Sequence, residues 1–460
     1  AITLDAFGFF SLTGGLSLEQ RSNTVTLADD INTPDVNEAE TPVTVQQLLI
    51  GGSNLNAFAG VNGGQTNAMG LQLTGVNFAL AVHTETLSAQ QKEAGKLARD
   101  WTSLQASVED AQFAGVNSLT VGVDTLTVEI NRAAADGSTV DYSEGATALT
   151  VQTGPSSNLA LSVDGGLGEL TRASGNVRLD VAGFVSVRGA LAFEKSTQSV
   201  ALDDAVVDAE GKVTQPASQV RVDMLSVGGS NLNAFAGVGG GYDAAGQLSA
   251  DATGLSLGGV QFGLVMLGEQ LTPEQVRQNA EVRNWVALQA TADQVTVVGI
   301  DDVTIAADTI KLEINRGDEG DHSMVDFAAQ NLTVQTGTSA VPSSVTLNMD
   351  GSLGELTRAS GNLTLDVMGF FQVSGGFSIE KRESEVTGAD LVGTPDVDES
   401  ATAIKVDQLL IGGAGVDAFA GVNGGQANAL GLSLTNVDFA VVLSSEQLTQ
   451  AQRDAGTHVR

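Results

Sequence analysis

The chain has 460 residues, 21 basic against 55 acidic, and so a formal net charge of −34 with no cysteine. The charge excludes nucleic acid as a partner, and the missing thiols exclude a disulfide framework or a thiolate metal centre. Hydrophobic residues make up 42 % but aromatic residues only 4 %, so the core must be built from Val, Leu, Ile and Ala. That favours thin, regular β structure over an aromatic-lined catalytic pocket.

The first residues, AITLDAFGFF, lack the basic and apolar regions of a signal peptide. Period-two alternation then dominates. It is clearest over residues 177–193, where Val177, Leu179, Val181, Val185, Val187, Leu191 and Phe193 share one face with Gly183 and Gly189. The other face carries Asn176, Arg178, Asp180, Ser186, Arg188 and Glu194. Residues 2–18 and 363–379 run in the same phase, which predicts one very long strand or two strands meeting at a bend near Gly183 or Gly189. Phe9, Phe184 and Phe370 fall at matched positions on the otherwise polar face, flanked by Phe7 and Met368. Burial under the chain's own helix and contact between chains are the two readings of this group; the second makes these five residues an assembly surface.

Each alternating run leads into an acidic connection. Asp35, Asn37 and Glu38 lie in the first, Asp208 and Glu210 in the second, and Asp396, Asp398 and Glu399 in the third. Oxygen-bearing residues at such short spacing are candidate ligands for Ca²⁺, although no copy has the EF-hand spacing, and a solvated acidic turn is the competing reading. The block GGSNLNAFAG follows at Gly51, recurs at Gly228, and returns as GGAGVDAFAG at Gly412. Asn56, Asn233 and Asp417 correspond within it, and an Asn/Asp alternative predicts a turn held by a side-chain oxygen. A phase slip at Thr74-Gly75 and Thr435-Asn436 predicts a β-bulge. Ser88, Thr272 and Thr449, each followed three residues later by Gln, predict a capped short helix per unit, packed across the sheet or over its edge. Leu119 to Ile130, Leu149 to Val151, Leu159 to Val163 and Val303 to Ile314 read as further strands.

GELTRASGN at Gly168 and Gly354, and Glu-Ile-Asn-Arg at Glu129 and Glu313, set a period of about 180 residues. The units are 1–175, 176–361 and a partial third, 362–460. The chain therefore begins and stops within units and reads as a segment of something longer. The expected fold is all-β: an elongated tandem-repeat β-solenoid or a continuous folded β-sheet, with one short capping helix per unit. No stretch of about 18 uncharged apolar residues predicts a membrane span. Histidines stand only at 83, 322 and 458, in unmatched positions, and no Ser-His-Asp set, HExxH or GxSxG occurs, so no enzymatic activity is expected. Glu169 with Arg172 and Glu355 with Arg358 read as ion pairs at a turn.

The runs FGFFSLTGGLSLEQ and AGFVSVRGALAFEK, followed by IGGSNLNAFAGVNGG, resemble the repeats of giant bacterial surface and extracellular proteins. The resemblance spans essentially the whole chain and implies export and a role in adhesion, matrix or fibre formation. The leading functional expectation is a structural segment of an extracellular fibre, filament or cell-surface adhesin stalk, whose partners are copies of itself. The alternative is a lipid-conducting β groove like the folded sheets of bridge-type lipid transporters. That alternative requires an open apolar trough, whereas a fibre core is closed and packed.

Overall fold

The computed structural model describes residues 2–6, 10–29, 42–116, 119–143, 149–204, 206–207, 213–215, 217–243, 246–389 and 403–448. In chain order the elements are β1 (Ile2–Ala6), β2 (Phe10–Val25), β3 (Val43–Val61), β4 (Met69–Glu85), α1 (Ala89–Glu93), β5 (Asp100–Ala114) and β6 (Leu119–Arg132). There follow β7 (Leu149–Gln152), β8 (Asn158–Leu161), β9 (Leu170–Val181), β10 (Val185–Ala201), β11 (Val206–Val207), β12 (Val213–Gln215) and β13 (Gln219–Val238). The chain continues through β14 (Thr253–Glu269), α2 (Pro273–Arg277), β15 (Asn284–Val298), β16 (Val303–Arg316), β17 (Leu332–Gln335) and β18 (Ser344–Leu347). It closes with β19 (Leu356–Val367), β20 (Phe371–Thr387), β21 (Ala403–Val422) and β22 (Leu430–Glu446).

Sixteen of these strands form one antiparallel sheet in the order β1-β2-β3-β4-β5-β6-β9-β10-β13-β14-β15-β16-β19-β20-β21-β22. The first and last strands are not paired with each other, so the sheet is open. Of the two architectures expected, the continuous sheet is the one found; the strands meander side by side and do not coil into a solenoid. At the usual spacing between strands, sixteen of them span roughly 70 Å.

The long alternating segment is two strands. Val181 pairs with Val185 across a tight turn in which Ala182 and Gly183 both have positive φ, at 52° and 70°. A left-handed pair at the centre of a turn matches the twist of the flanking strands, and Phe184 N–H closes it on Val181 O at 2.8 Å. Met368 and Gly369 build the same turn between β19 and β20. Gly189 lies at a register shift between β10 and β13.

The phase slip at Thr74-Gly75 is a paired bulge. Asn54 on β3 and Gly75 on β4 both take left-handed backbone, and the register shifts there. Each is held by a side chain of the other strand. Asn54 N–H donates to Asn77 Oδ1 at 3.0 Å, and Gly75 N–H donates to Asn56 Oδ1 at 3.3 Å. Between β21 and β22 the same clasp uses Gly415 with Asp438 and Asn436 with Asp417, both at 2.8 Å. At 56 and 417 the Asn/Asp alternative supplies the acceptor oxygen of these bonds. It serves a cross-strand bulge, whereas a turn was expected; Asn233 occupies the same place on β13.

Two hydrophobic cores lie on one face of the sheet, here termed the hairpin face. The β7–β8 hairpin covers Val45, Leu49, Ala79, Ala81 and Trp101, closing over them with Leu149, Val151 and Leu161. The β17–β18 hairpin covers Val222, Met224, Val265, Leu267 and Trp285 with Leu332, Val334 and Leu347. Gly51 and Gly228 are required for this docking, since a Cβ on either would run into the carbonyl oxygen of Gln152 or Gln335. Each Trp forms the floor of its core and donates its indole N–H to a backbone carbonyl, Ser138 at 3.0 Å and Ser323 at 2.9 Å. Arg99 and Arg283 stack over the two rings at 5.0 and 5.3 Å.

The helices differ from expectation. Both described ones carry the capping box, Ser88 with Gln91 and Thr272 with Gln275. Each is a single turn, however, and α1 buries no residue. An isolated turn has no face long enough to pack, and the covering role falls to the hairpins. The segment beginning at Thr449 lies outside the described residues.

Candidate functional site

Several expected site residues fall outside the described residues: Phe7 and Phe9, and the candidate metal ligands Asp35, Asn37, Glu38, Asp208, Glu210, Asp396, Asp398 and Glu399. Among the described residues no group of three or more His, Cys, Asp or Glu is placed to hold a metal ion. Phe184 and Phe370 stand in the tips of the β9–β10 and β19–β20 turns, each 55 % exposed, with Met368 beside Phe370. They belong to turns because Gly183 and Gly369 fold the chain back one residue before them. Their carbonyls are used structurally: Phe184 O accepts from Gly237 N–H and Phe370 O from Gly421 N–H, both at 2.9 Å.

The arginines expected to pair with Glu169 and Glu355 reach across the sheet instead. Arg172 bridges Glu129 at 3.1 Å and Glu194 at 2.7 Å, and Arg358 bridges Glu313 at 3.1 Å and Glu380 at 2.6 Å. Arg172, Glu129 and Glu194 share one row of the ladder, as do the three in the other set. Sequence distance hid these contacts, which only the strand register creates.

The prominent feature of the molecule is the face opposite the hairpins. Residues paired in an antiparallel ladder point to the same side, so the register identifies its rows. One row runs Leu16, Gly52, Phe78, Ala106, Val128, Ala173, Phe193, Val227, Leu264, Leu288 and Ile314, from β2 to β16 without a polar side chain. A second runs Gly175, Leu191, Gly229, Phe262, Ala290, Leu312, Ala359, Ile379, Ile411 and Val441, from β9 to β22. Leu18 is 71 % exposed on this face, Ile379 48 %, Leu255 41 % and Phe193 40 %. Among the described residues, packing beyond ladder neighbours involves the short hairpins, and both hairpin cores lie on the other side. The open face is also low in relief. Phe78, Phe262 and Phe439 lie down over Gly52, Gly229 and Gly413 of the neighbouring strand, where a Cβ would collide with the ring. Rings filling glycine gaps protect the backbone and keep the surface smooth.

The same alternation that was read as one apolar and one polar face contained this surface. The missed signal was supply: among the described residues the cover consists of short hairpins, and both hairpin cores lie on one side of the sheet.

Inside the first core sits a polar network that the second lacks. His83 Nε2 and Tyr142 Oη are 2.7 Å apart, Ser103 Oγ donates to Asn131 Oδ1 at 2.9 Å, and all four residues are buried. Leu267, Phe327 and Ala287 take the places of His83, Tyr142 and Ser103 in the second core. Burial, assisted by the nearby Arg21 guanidinium, lowers the His83 pKa to about 4. Unfolding restores a pKa near 6.5, so the unfolded chain takes up a proton that the folded chain refuses. This core should hold full stability above about pH 6.5 and lose up to about 3 kcal/mol as pH falls from 6.5 towards 4. His83→Leu with Tyr142→Phe should flatten that dependence. Urea midpoints at pH 7.5 and 4.5 check it, and an equal pH loss in the double variant would refute the assignment to His83.

No known protein family matches this chain, and no curated protein matches it. Among solved structures it has a likeness to the siderophore receptor PiuA from Acinetobacter baumannii, with 8 % identity and a TM-score of 0.21 over 97 % of this chain and 72 % of that one. The outer membrane transporter YddB from Escherichia coli follows at 10 % identity and a TM-score of 0.16, over 97 % of this chain and 74 % of that one. Scores so low carry no inference about this chain. No described helix is long and apolar enough to cross a membrane.

Proposed function

We propose that this chain is a repeat segment of an extracellular or cell-surface β groove that holds hydrocarbon chains of lipids along its open face. The observation that carries the reading is that apolar rows run from β2 to β16 and from β9 to β22 with, among the described residues, no element packed over them. Single exposed apolar residues are ordinary on a protein surface, but a continuous apolar patch of this extent marks an interaction site. Each methylene laid on such a surface contributes about 0.8 kcal/mol, so an acyl chain gains enough to be retained. The acidic residues keep the remaining surface soluble.

Protein purified without detergent and extracted with organic solvent should yield acyl lipids in stoichiometric amount by mass spectrometry. Lipid-free protein that stays soluble and monomeric would overturn the reading.

A second reading is a structural segment of a fibre, filament or adhesin stalk, in which copies pack by the same faces. It draws support from the unbroken ladder β6-β9-β10-β13, which continues one unit into the next with no linker. Lipid-free filaments in electron micrographs would favour it.

A further inference from the structure

The open face is apolar along its rows but ends in charge on one side. On β6, Ile130 is followed on the same face by Arg132; in the ladder, Ile130 pairs with Thr171 and Thr171 with Lys195. On β16, Ile314 is followed by Arg316, and Ile314 pairs with Thr357 and Thr357 with Lys381. The intervening residues Asn131, Glu194 and Asn315 are buried on the hairpin face, which fixes Arg132, Lys195 and Arg316 on the open one. The result is an Arg–Thr–Lys set at the same border of the apolar rows, present twice.

These cations contrast with most of the chain's described arginines, although Lys92 and Lys405 likewise form no ion pair among the described residues. Arg21, Arg99, Arg172, Arg178, Arg283 and Arg358 each lie within ion-pair distance of a carboxylate. Arg132, Lys195, Arg316 and Lys381 are exposed and form no ion pair among the described residues. In a chain with 55 acidic residues against 21 basic ones, the same cations stand beside the apolar surface in two units. On the same face, Asp100 accepts from Thr84 at 2.7 Å, Asp223 from Gln270 at 2.6 Å and Glu383 from Gln447 at 3.1 Å.

We propose that each Arg–Thr–Lys set binds the anionic phosphate headgroup of a lipid whose hydrocarbon chains lie on the adjoining apolar rows. Arg and Lys stand two strands apart, about 10 Å in the ladder, a separation that two long side chains close around one phosphate. The threonine hydroxyl lies between them as a further donor. A guanidinium forks onto two phosphate oxygens and an ammonium supplies a point charge, both stronger than neutral hydrogen bonds. The net charge of −34 repels a free anion, so the tail is needed to bring the headgroup in. This rests on the lipid-groove reading and names the lipid class it selects.

Calorimetry with dioctanoyl phosphatidic acid, dioctanoylglycerol and inorganic phosphate tests it on the whole chain. Phosphatidic acid should bind about tenfold more tightly than the uncharged diacylglycerol, and inorganic phosphate should give no binding. Replacing Arg132, Lys195, Arg316 and Lys381 together by Gln should abolish the difference while leaving diacylglycerol binding unchanged; all four sites are exposed, so the fold is spared. Equal binding of the two lipids by the unaltered chain would overturn the headgroup assignment and leave the groove reading standing. A preference that survives in the variant, or inorganic phosphate binding as tightly as the lipid, would also overturn it. Binding of neither lipid would remove the groove reading itself.

Discussion

Trp285→Ala should destabilise the second core by roughly 3–5 kcal/mol, the range for truncating a fully buried aromatic side chain. The ring is 1 % exposed, and its loss leaves a cavity beneath the β17–β18 hairpin that short strands cannot collapse to fill. The Ser323 carbonyl loses its indole donor, and Arg283 loses the ring it stacks on. The two cores share no residue, so the damage should be local. Amide hydrogen exchange should speed up in β14, β15, β17 and β18, with β7 and β8 still protected. Since the chain has only two tryptophans, Trp101 fluorescence then reports the first core alone. A loss below about 1 kcal/mol, the mean for an arbitrary substitution, would show that the hairpin is held by something else.

The second large effect concerns the open face. Phe193→Asp with Ile379→Asp places two carboxylates within the apolar rows, at positions 40 % and 48 % exposed. If the face holds hydrocarbon chains, bound lipid should fall by on the order of tenfold or more, because a carboxylate pressed against an acyl chain must give up its water. Stability should fall by less than about 1 kcal/mol, since both side chains already meet solvent. The ratio of the two effects is the informative quantity. Large destabilisation with lipid content unchanged would mean that these side chains are buried by the protein itself, and the groove reading would fail.

Much of the fold was legible in the sequence. Alternation located the strands, and the slip at Thr74-Gly75 located a bulge because a single left-handed residue flips every later side chain. The Ser88 and Thr272 caps are local, satisfied within three residues, and sequence therefore carries them whole. What could not be read was anything set by register. Arg172 meets Glu129 and Glu194 only because three strands align, and the Arg132–Thr171–Lys195 set is scattered over more than sixty residues of chain for the same reason. Alternation also assigns faces without saying how many layers cover them. Phe184 was drawn to the polar face by parity alone, and parity ceases to apply once Ala182 and Gly183 reverse the chain.

The bulge clasps, hairpins and Arg–Thr–Lys sets recur with the units because all are keyed to one uninterrupted ladder. From β10 to β19 a unit contributes six strands to the sheet, about 29 Å of width at the usual strand spacing. A copy gained or lost in tandem would leave every face, row and border in phase with its neighbours. The number of units would then act as a ruler, changing the distance the apolar face spans without altering the residues that form it.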